Sequence, residues 1–479
     1  MNTTPRAEEV EQRAEGVNLL RVPGVRALIL WRGFPYVFQA VLLATLLVLI
    51  AVAWRRYTPP GVAQKLYAQT NLATLLIWGL WWPAMVWITV FLGRAWCMVC
   101  PLELVSNVSE RIGRRFRLRQ RPLHLWIASG AVIVVLYALI QFLVAGAEIR
   151  RVPAYTSLFL IGLLALAVLT GLLFRDRAFC RGFCPIGLLL SAYGRGGMLA
   201  VRAGSGEACR ACTDKNCIRA CNRYKADGRS CPSLLNPPVL NDNKECLLCG
   251  QCIKVCEPDN MRLLLRRPFS ANDARDAAAS WPMTLFVMTV SGFVLWELTT
   301  EWATAQKVFL AVPRWISQYV SAPSLSSHVT VFWATVVVPL LIWSFFGLLA
   351  RLLGHNASLG ALWRRLALPM AVIVAGGHIA KGLAKFVSWA GFLPYAFEDP
   401  SGFETAAAIS GGLLQPPVPL LSKPFVAVVA AVIVAGALFL AMREARLANH
   451  GKTGFAMTAP LLLTTAVFLF LTIGWALPA

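Results

Sequence analysis

Residues 71–102 read NLATLLIWGLWWPAMVWITVFLGRAWCMVCPL: an uncharged apolar run, then Gly93-Arg94, then Cys97, Cys100 and Pro101. The run over 71–92 has the length of about 20 residues that a helix needs to cross roughly 30 Å of hydrocarbon. Lipid cannot satisfy free backbone polar groups, so a helix is the form such a run must take. The pattern returns once. A second apolar run at 155–174 is followed by Asp176-Arg177-Ala178-Phe179-Cys180-Arg181-Gly182-Phe183-Cys184-Pro185-Ile186. Each copy is a span that ends in arginine, a pair of cysteines and proline.

Outward from this repeat, the rest of the chain has the same character. Of the 479 residues 57% are hydrophobic and 14% charged, where soluble domains are about 25% charged. Nine apolar runs meet the length of a span: 36–54, 71–92, 124–145, 155–174, 282–300, 328–350, 367–390, 424–442 and 456–477. The expected fold is an all-α integral membrane protein of about nine transmembrane helices, with a cytoplasmic two-cluster ferredoxin module inserted between the fourth and fifth. Its parts are a cytoplasmic N-terminal segment at 1–35, a four-helix membrane domain at 36–200, a ferredoxin-like domain at 201–270 and a five-helix membrane domain at 271–479.

Lysine and arginine set the expected orientation. With 175–281 left aside, the loops on the side of the N-terminus hold 18 Lys and Arg, and the opposite loops hold 8. The positive-inside bias makes the richer side cytoplasmic and puts the C-terminus outside. Residues 1–35 carry mixed charge and no short apolar core, so no cleavable signal peptide is expected and the first span inserts the chain. Much of the formal net charge of +22 is topology signal and attraction to anionic headgroups; a basic docking face for an acidic electron carrier is the sharper reading. Nucleic acid is not an expected partner, because the Arg-rich stretch 111–121 lies between two spans and lacks a binding fold.

All 13 cysteines lie between Cys97 and Cys256, on the side expected to be cytoplasmic. A reducing compartment argues against a disulfide framework and for metal or redox chemistry. Two runs stand out. Cys246, Cys249, Cys252 and Cys256 follow C-x2-C-x2-C-x3-C, and Cys209, Cys212, Cys217 and Cys221 follow the same run with two residues inserted. In two-cluster ferredoxins three thiolates of a run hold one [4Fe–4S] cluster and the fourth crosses to the other. That rule assigns Cys209, Cys212, Cys217 and Cys256 to one cluster and Cys246, Cys249, Cys252 and Cys221 to the second. Departures are visible: Cys221 precedes Asn222 rather than proline, and Cys256 precedes Glu257. Structural zinc also uses four cysteines, but it calls for two hooks rather than two matching runs of four.

Cys97, Cys100, Cys180 and Cys184 supply the four thiols of a third [4Fe–4S] cluster, if the parallel repeats converge at the interface. The rival readings are free thiols or a dithiol–disulfide site. Arg94 and Arg177 would offset thiolate charge there or simply anchor the interface. Cys231, before Pro232, falls outside both counts and reads as a buried thiol.

These motifs resemble the membrane polyferredoxins of anaerobic respiration. That family includes the quinol-linked accessory subunit of periplasmic nitrate reductase, the C-terminal half of the nitrous-oxide reductase regulator and electron donor, and a copper-oxidase assembly iron–sulfur protein. The resemblance covers about residues 36–270 and rests on the motifs at Cys97/Cys100 and Cys180/Cys184 followed by the paired runs. It implies electron transfer among the quinone pool, the cytoplasmic face and a partner redox protein at a bacterial inner membrane. The flavin-carrying domain of one branch and the soluble C-terminal domain of another are missing, and about five further spans stand in their place.

In those spans, His378, Lys381 and Lys385 recur at helical spacing and share one face. Ionisable groups within a bilayer are functional candidates, so His378 and Lys381 are candidates for a quinone site or a proton path; Lys385 reads as a snorkelling side chain. Glu297 and Glu301 are expected to pair with these lysines. The function expected is electron transfer without acid–base catalysis. The alternative is a maturation factor that reduces or delivers a metal to a respiratory oxidase or reductase through the interfacial cysteine pairs.

Overall fold

A computed structural model describes residues 16–319, 323–449, 451 and 454–477, so residues 1–15 of the expected N-terminal segment lie outside the described residues. The chain is mostly helical. Among the described residues, eight helices are long and apolar enough to cross a membrane: Tyr36–Ala53, Leu72–Leu92, Pro153–Leu173, Trp281–Thr299, Ser326–Leu352, Leu359–Ala390, Lys423–Ala448 and Phe455–Gly474. Each overlaps one of the apolar runs.

The ninth run behaves differently from the expectation of an unbroken span over 124–145. A turn of helix at Leu125–Ala128 stops at Ser129-Gly130, and a shorter apolar helix, Ala131–Gly146, follows. Gly130 has a φ of 96°, a conformation that glycine alone adopts without strain and that a helix cannot contain. At 1.5 Å per residue the shorter helix rises about 24 Å, less than the ~30 Å of a hydrocarbon core.

The chain forms two compact units, each discontinuous in sequence. The first takes the described residues up to Leu46 with 88–131 and 163–275, and the second takes 47–87, 132–162 and the described residues from 276 onward. The second unit is organised on the helix Leu359–Ala390, started by Ser358, whose hydroxyl accepts from the Ala361 amide. This helix packs against Trp281–Thr299, Lys423–Ala448 and Phe455–Gly474. Between helices in lipid there is little hydrophobic gain, so association rests on close approach at small residues. Gly376 provides it: a Cβ there would stand 2.5 Å from the Ala437 Cβ.

The first unit contains every cysteine. Its sheet has the antiparallel order Val17–Asn18, Met261–Leu265, Leu199–Ala203. The two longer strands pair from Leu199↔Leu265 to Ala203↔Met261, so residues 204–260 leave from and return to neighbouring strand ends. Leu20, Ile29, Phe34, Val201, Leu248, Ile253 and Leu263 form a buried core, and Cys209, Cys246, Cys252 and Cys256 pack against it.

Candidate iron–sulfur centres

The two copies of the repeat share a backbone plan. In the first, Gly93 turns the chain with a φ of 74°, Cys97 rides on the short helix Ala95–Val99, and Cys100 caps the helix Pro101–Arg115 in an extended conformation. Proline suits that first helical position because its missing N–H would have no partner there. In the second copy Asp176 and Arg177 make the turn, both with positive φ, and Cys184 is again extended before proline. The second copy has one more residue between its cysteines. A π-turn at Phe179–Phe183 takes it up, closed by the Cys184 amide donating to the Phe179 carbonyl at 2.7 Å. A π-turn is how a helix absorbs one extra residue, so the longer spacing still ends on an extended cysteine before proline, as at Cys100.

The four sulfurs of the two motifs feel one another. Burial pushes the Cys100 thiol well above the usual thiol range, and the neighbouring Cys180, Cys97 and Cys184 push it further. Cys184 is raised to about 12 by burial and then by Cys180 and Cys97. Thiols that disfavour each other's ionisation in this way gain from a cationic core between them, since metal binding is what deprotonates them. Arg94 and Arg177 are both buried. Cys97 and Cys180 are the thiols that most favour the charged form of each guanidinium. A [4Fe–4S] core fits this donor set, with four thiolates and two cations close by.

Both arginines are also fastened to other elements. Arg94 donates through Nη1 to Ser191 Oγ at 3.0 Å, the Lys244 carbonyl at 3.1 Å and Glu245 at 3.0 Å. Glu245 immediately precedes Cys246. Arg177 pairs with Glu103 at 3.1 Å, and Arg229 pairs with the same oxygen at 2.9 Å. Gln39 donates to the other Glu103 oxygen at 2.8 Å. With two guanidinium groups beside it, Glu103 stays ionised, its pKa lowered to about 2 against the cost of burial. Seven residues on, Glu110 accepts from the Asp176 amide at 2.8 Å and the Arg177 amide at 3.2 Å. The helix that follows the first motif thus holds the turn that opens the second.

In the ferredoxin runs, Asn260 joins two of the expected ligands. Its Nδ2 donates to Cys209 Sγ at 3.1 Å and its backbone amide donates to Cys256 Sγ at 3.2 Å. Cys217 is raised to about 11 by burial and then by Cys256 and Cys209. Cys209, Cys212, Cys217 and Cys256 are therefore brought together. The other set is arranged differently from the spacing rule. Cys246, Cys249 and Cys252 line one pocket, and the fourth cysteine on its wall is Cys231. Cys221 is exposed, with Asn222 Oδ1 at 4.0 Å from its sulfur. Among the described residues no three His, Cys, Asp or Glu side chains are closed around the position of a single ion.

The second unit holds His378 and Lys381, both buried. Trp82 Nε1 donates to His378 Nε2 at 3.3 Å. Lys381 pairs with Glu301, donates to Thr300 Oγ1 at 2.7 Å and lies 3.9 Å from Glu297, which Arg150 holds at 2.7 Å. Lys385 lies over the Trp389 ring, 4.9 Å from its centre. The expected pairing of Glu297 and Glu301 with this helix is therefore met by Lys381.

Glu103, Glu110 and Asn260 did not stand out in the sequence. The signal available for the first two was a pair of acids one heptad apart in an otherwise Arg-rich helix.

Helices of spanning length among the described residues and a cysteine-rich unit mark a multi-pass membrane protein of the iron–sulfur class. A family model described as a 4Fe-4S binding domain matches residues 74–119 and again 157–201, one match over each motif. More particularly, the chain resembles the membrane polyferredoxins. It is 30% identical over 190 residues to the ferredoxin-type protein NapH of Escherichia coli, which is 36% of this chain and 62% of that one. It is also 30% identical over 218 residues to the protein NirI of Paracoccus denitrificans, 41% of this chain and 30% of that one. With the uncharacterized protein MJ0749 of Methanocaldococcus jannaschii it shares 28% over 172 residues. The chain thus spans less than two thirds of the length of these relatives. No solved structure matches it.

Proposed function

We propose that this chain is a membrane-bound electron-transfer protein that links the quinone pool, or a cytoplasmic donor, to a partner redox enzyme. The observation that carries this reading is the tying of the motif of Cys180 and Cys184 to the helix that follows Cys97 and Cys100, through Arg177–Glu103 and the Glu110 bonds to the Asp176 and Arg177 amides, with Arg94 and Arg177 buried there. Those four thiolates would hold one [4Fe–4S] cluster; Cys209, Cys212, Cys217 and Cys256 would hold a second, and Cys246, Cys249 and Cys252 three corners of a third. When bound, such clusters supply one-electron storage whose potential follows charge, hydrogen bonds to sulfur and solvent exposure. The protein's part is to fix these terms. Arg94 and Arg177 offset thiolate charge, Asn260 donates to two sulfurs, and the core around Leu248 and Ile253 keeps water away.

His378 and Lys381 serve a quinone or proton path in this reading, supported by their burial and by the ion-pair line Arg150–Glu297–Lys381–Glu301. The membrane in this reading is a bacterial inner membrane, with the shorter helix Ala131–Gly146 making a ninth crossing, so that both cysteine motifs and the ferredoxin segment lie inside and the C-terminus outside, in line with the Lys and Arg asymmetry.

The test is anaerobic purification, followed by iron and acid-labile sulfide analysis and EPR of the reduced protein. Cys97→Ala with Cys180→Ala should remove about one cluster's worth of iron and slow reduction by a quinol analogue in vesicles. Unchanged iron with lost copper reduction selects the metal-reducing maturation factor instead. A colourless, zinc-loaded preparation overturns both.

A further inference from the structure

The loop between the two ferredoxin runs decides which thiol reaches the second centre. After Cys217 the chain makes an excursion and comes back: the Cys231 amide donates to the Cys217 carbonyl at 2.8 Å. Within the excursion the Ser230 amide returns to the Asn222 carbonyl at 3.4 Å. Its far end is anchored twice more. The Arg229 amide donates to Gln251 Oε1 at 3.1 Å, and the Arg229 guanidinium binds the buried Glu103. Residues 218–230 are thereby looped out, and Cys231 takes up the chain where Cys217 left it.

Cys231 then faces the second run. It lines the pocket with Cys246, Cys249 and Cys252, whose remaining wall is apolar apart from Ser233. Cys221, inside the excursion, is the exposed member of the thirteen cysteines. The local sequence agrees, because the crossing cysteine of a ferredoxin run is followed by proline, and it is Cys231 that precedes Pro232 while Cys221 precedes Asn222.

We propose that Cys231, and not Cys221, is the fourth thiolate of the [4Fe–4S] cluster held by Cys246, Cys249 and Cys252. The proposal rests on the iron–sulfur reading above and reassigns one ligand within it. It makes the first run C-x2-C-x4-C followed by a looped insertion and Cys-Pro, so the crossing ligand keeps its role and only its distance along the chain changes. Cys221 is left as a surface thiol.

The two assignments separate in full-length protein purified without oxygen. Cys221→Ser should keep the iron and the integrated EPR signal of the reduced wild type. Cys231→Ser should lose about one cluster's worth of signal, or convert it to that of a three-iron cluster. The reverse pattern, or no change in either variant, overturns the proposal. Should Cys231→Ser fold poorly, thiol labelling of the wild type decides. A maleimide should modify Cys221 in the iron-loaded protein and reach Cys231 only after iron is chelated; labelling of Cys231 in the iron-loaded protein overturns the assignment. A wild type without iron is a separate result, and it removes the iron–sulfur reading together with this one.

Discussion

Arg177 and Glu103 form a buried ion pair, Nε to oxygen 3.1 Å, with side chains 5% and 4% exposed. One belongs to the second cysteine motif and the other to the helix that follows the first, so the pair locks the two copies in register. Because Arg229 shares the same carboxylate, the loop leading to Cys231 is tied to the same point.

Glu103→Gln leaves two buried guanidinium groups without their counter-charge. Breaking a buried pair on one side costs about 3–5 kcal/mol, so the unfolding midpoint in detergent should fall sharply and iron should be lost on purification. The pH dependence follows from the lowered pKa. Glu103 titrates at about 2 in the folded protein against an ordinary 4.5. Its contribution is full above about pH 4.5 and disappears as pH falls towards 2. The stability gap between wild type and Glu103→Gln should close over that window, as followed by tryptophan fluorescence.

Deletion of Arg181 turns the second motif into C-x2-C. If the π-turn only accommodates an extra residue, the deletion should let the turn wind as an α-helix and leave Cys184 in place. Iron content should stay at the wild-type level, with at most about 1–2 kcal/mol lost from the missing arginine and local repacking. Loss of a cluster's worth of iron would show that the wider spacing is itself required.

Asn260→Asp keeps an oxygen to accept from the Ser205 amide, now 2.8 Å from Oδ1, but removes the donor to Cys209 and adds negative charge. Hydrogen bonds to ligand sulfur raise cluster potentials. The potential of the centre served by Cys209 and Cys256 should fall by roughly 60 mV, the equivalent of about 1.4 kcal/mol for one electron. An EPR-monitored redox titration measures it, and an unchanged potential would mean that Asn260 is only a structural bridge.

Lys381→Met leaves Glu301 without its lysine, while Glu297 keeps Arg150. The expected loss is about 2–3 kcal/mol, less than for a wholly enclosed pair because the Glu301 side chain is 32% exposed. Adding Glu301→Leu should recover part of it in a double-mutant cycle of detergent unfolding midpoints.

Eight of the spans were legible because exclusion of charge over about 20 residues is a local property. The run at 124–145 hid a break for the same reason: hydropathy averaged over Ser129-Gly130, and the shortening to the helix Ala131–Gly146 came from backbone conformation at Gly130. The cysteine motifs were legible as ligand types and spacings. Glu103 and Glu110 were not, since what gives them meaning is Arg177 and the turn at Asp176, brought near by folding rather than by chain order.

The amino-acid sequence alone determined that this is a helical membrane chain with its sulfur gathered in one stretch, because hydropathy and ligand spacing act over a few turns of backbone. Tertiary structure decided which thiols meet. Cys221 and Cys231 are chemically the same group, and spacing favoured the first. The path of the loop, closed by the Cys231 amide on the Cys217 carbonyl, brought the second to the pocket, and a loop's path is set by contacts far from it in the chain.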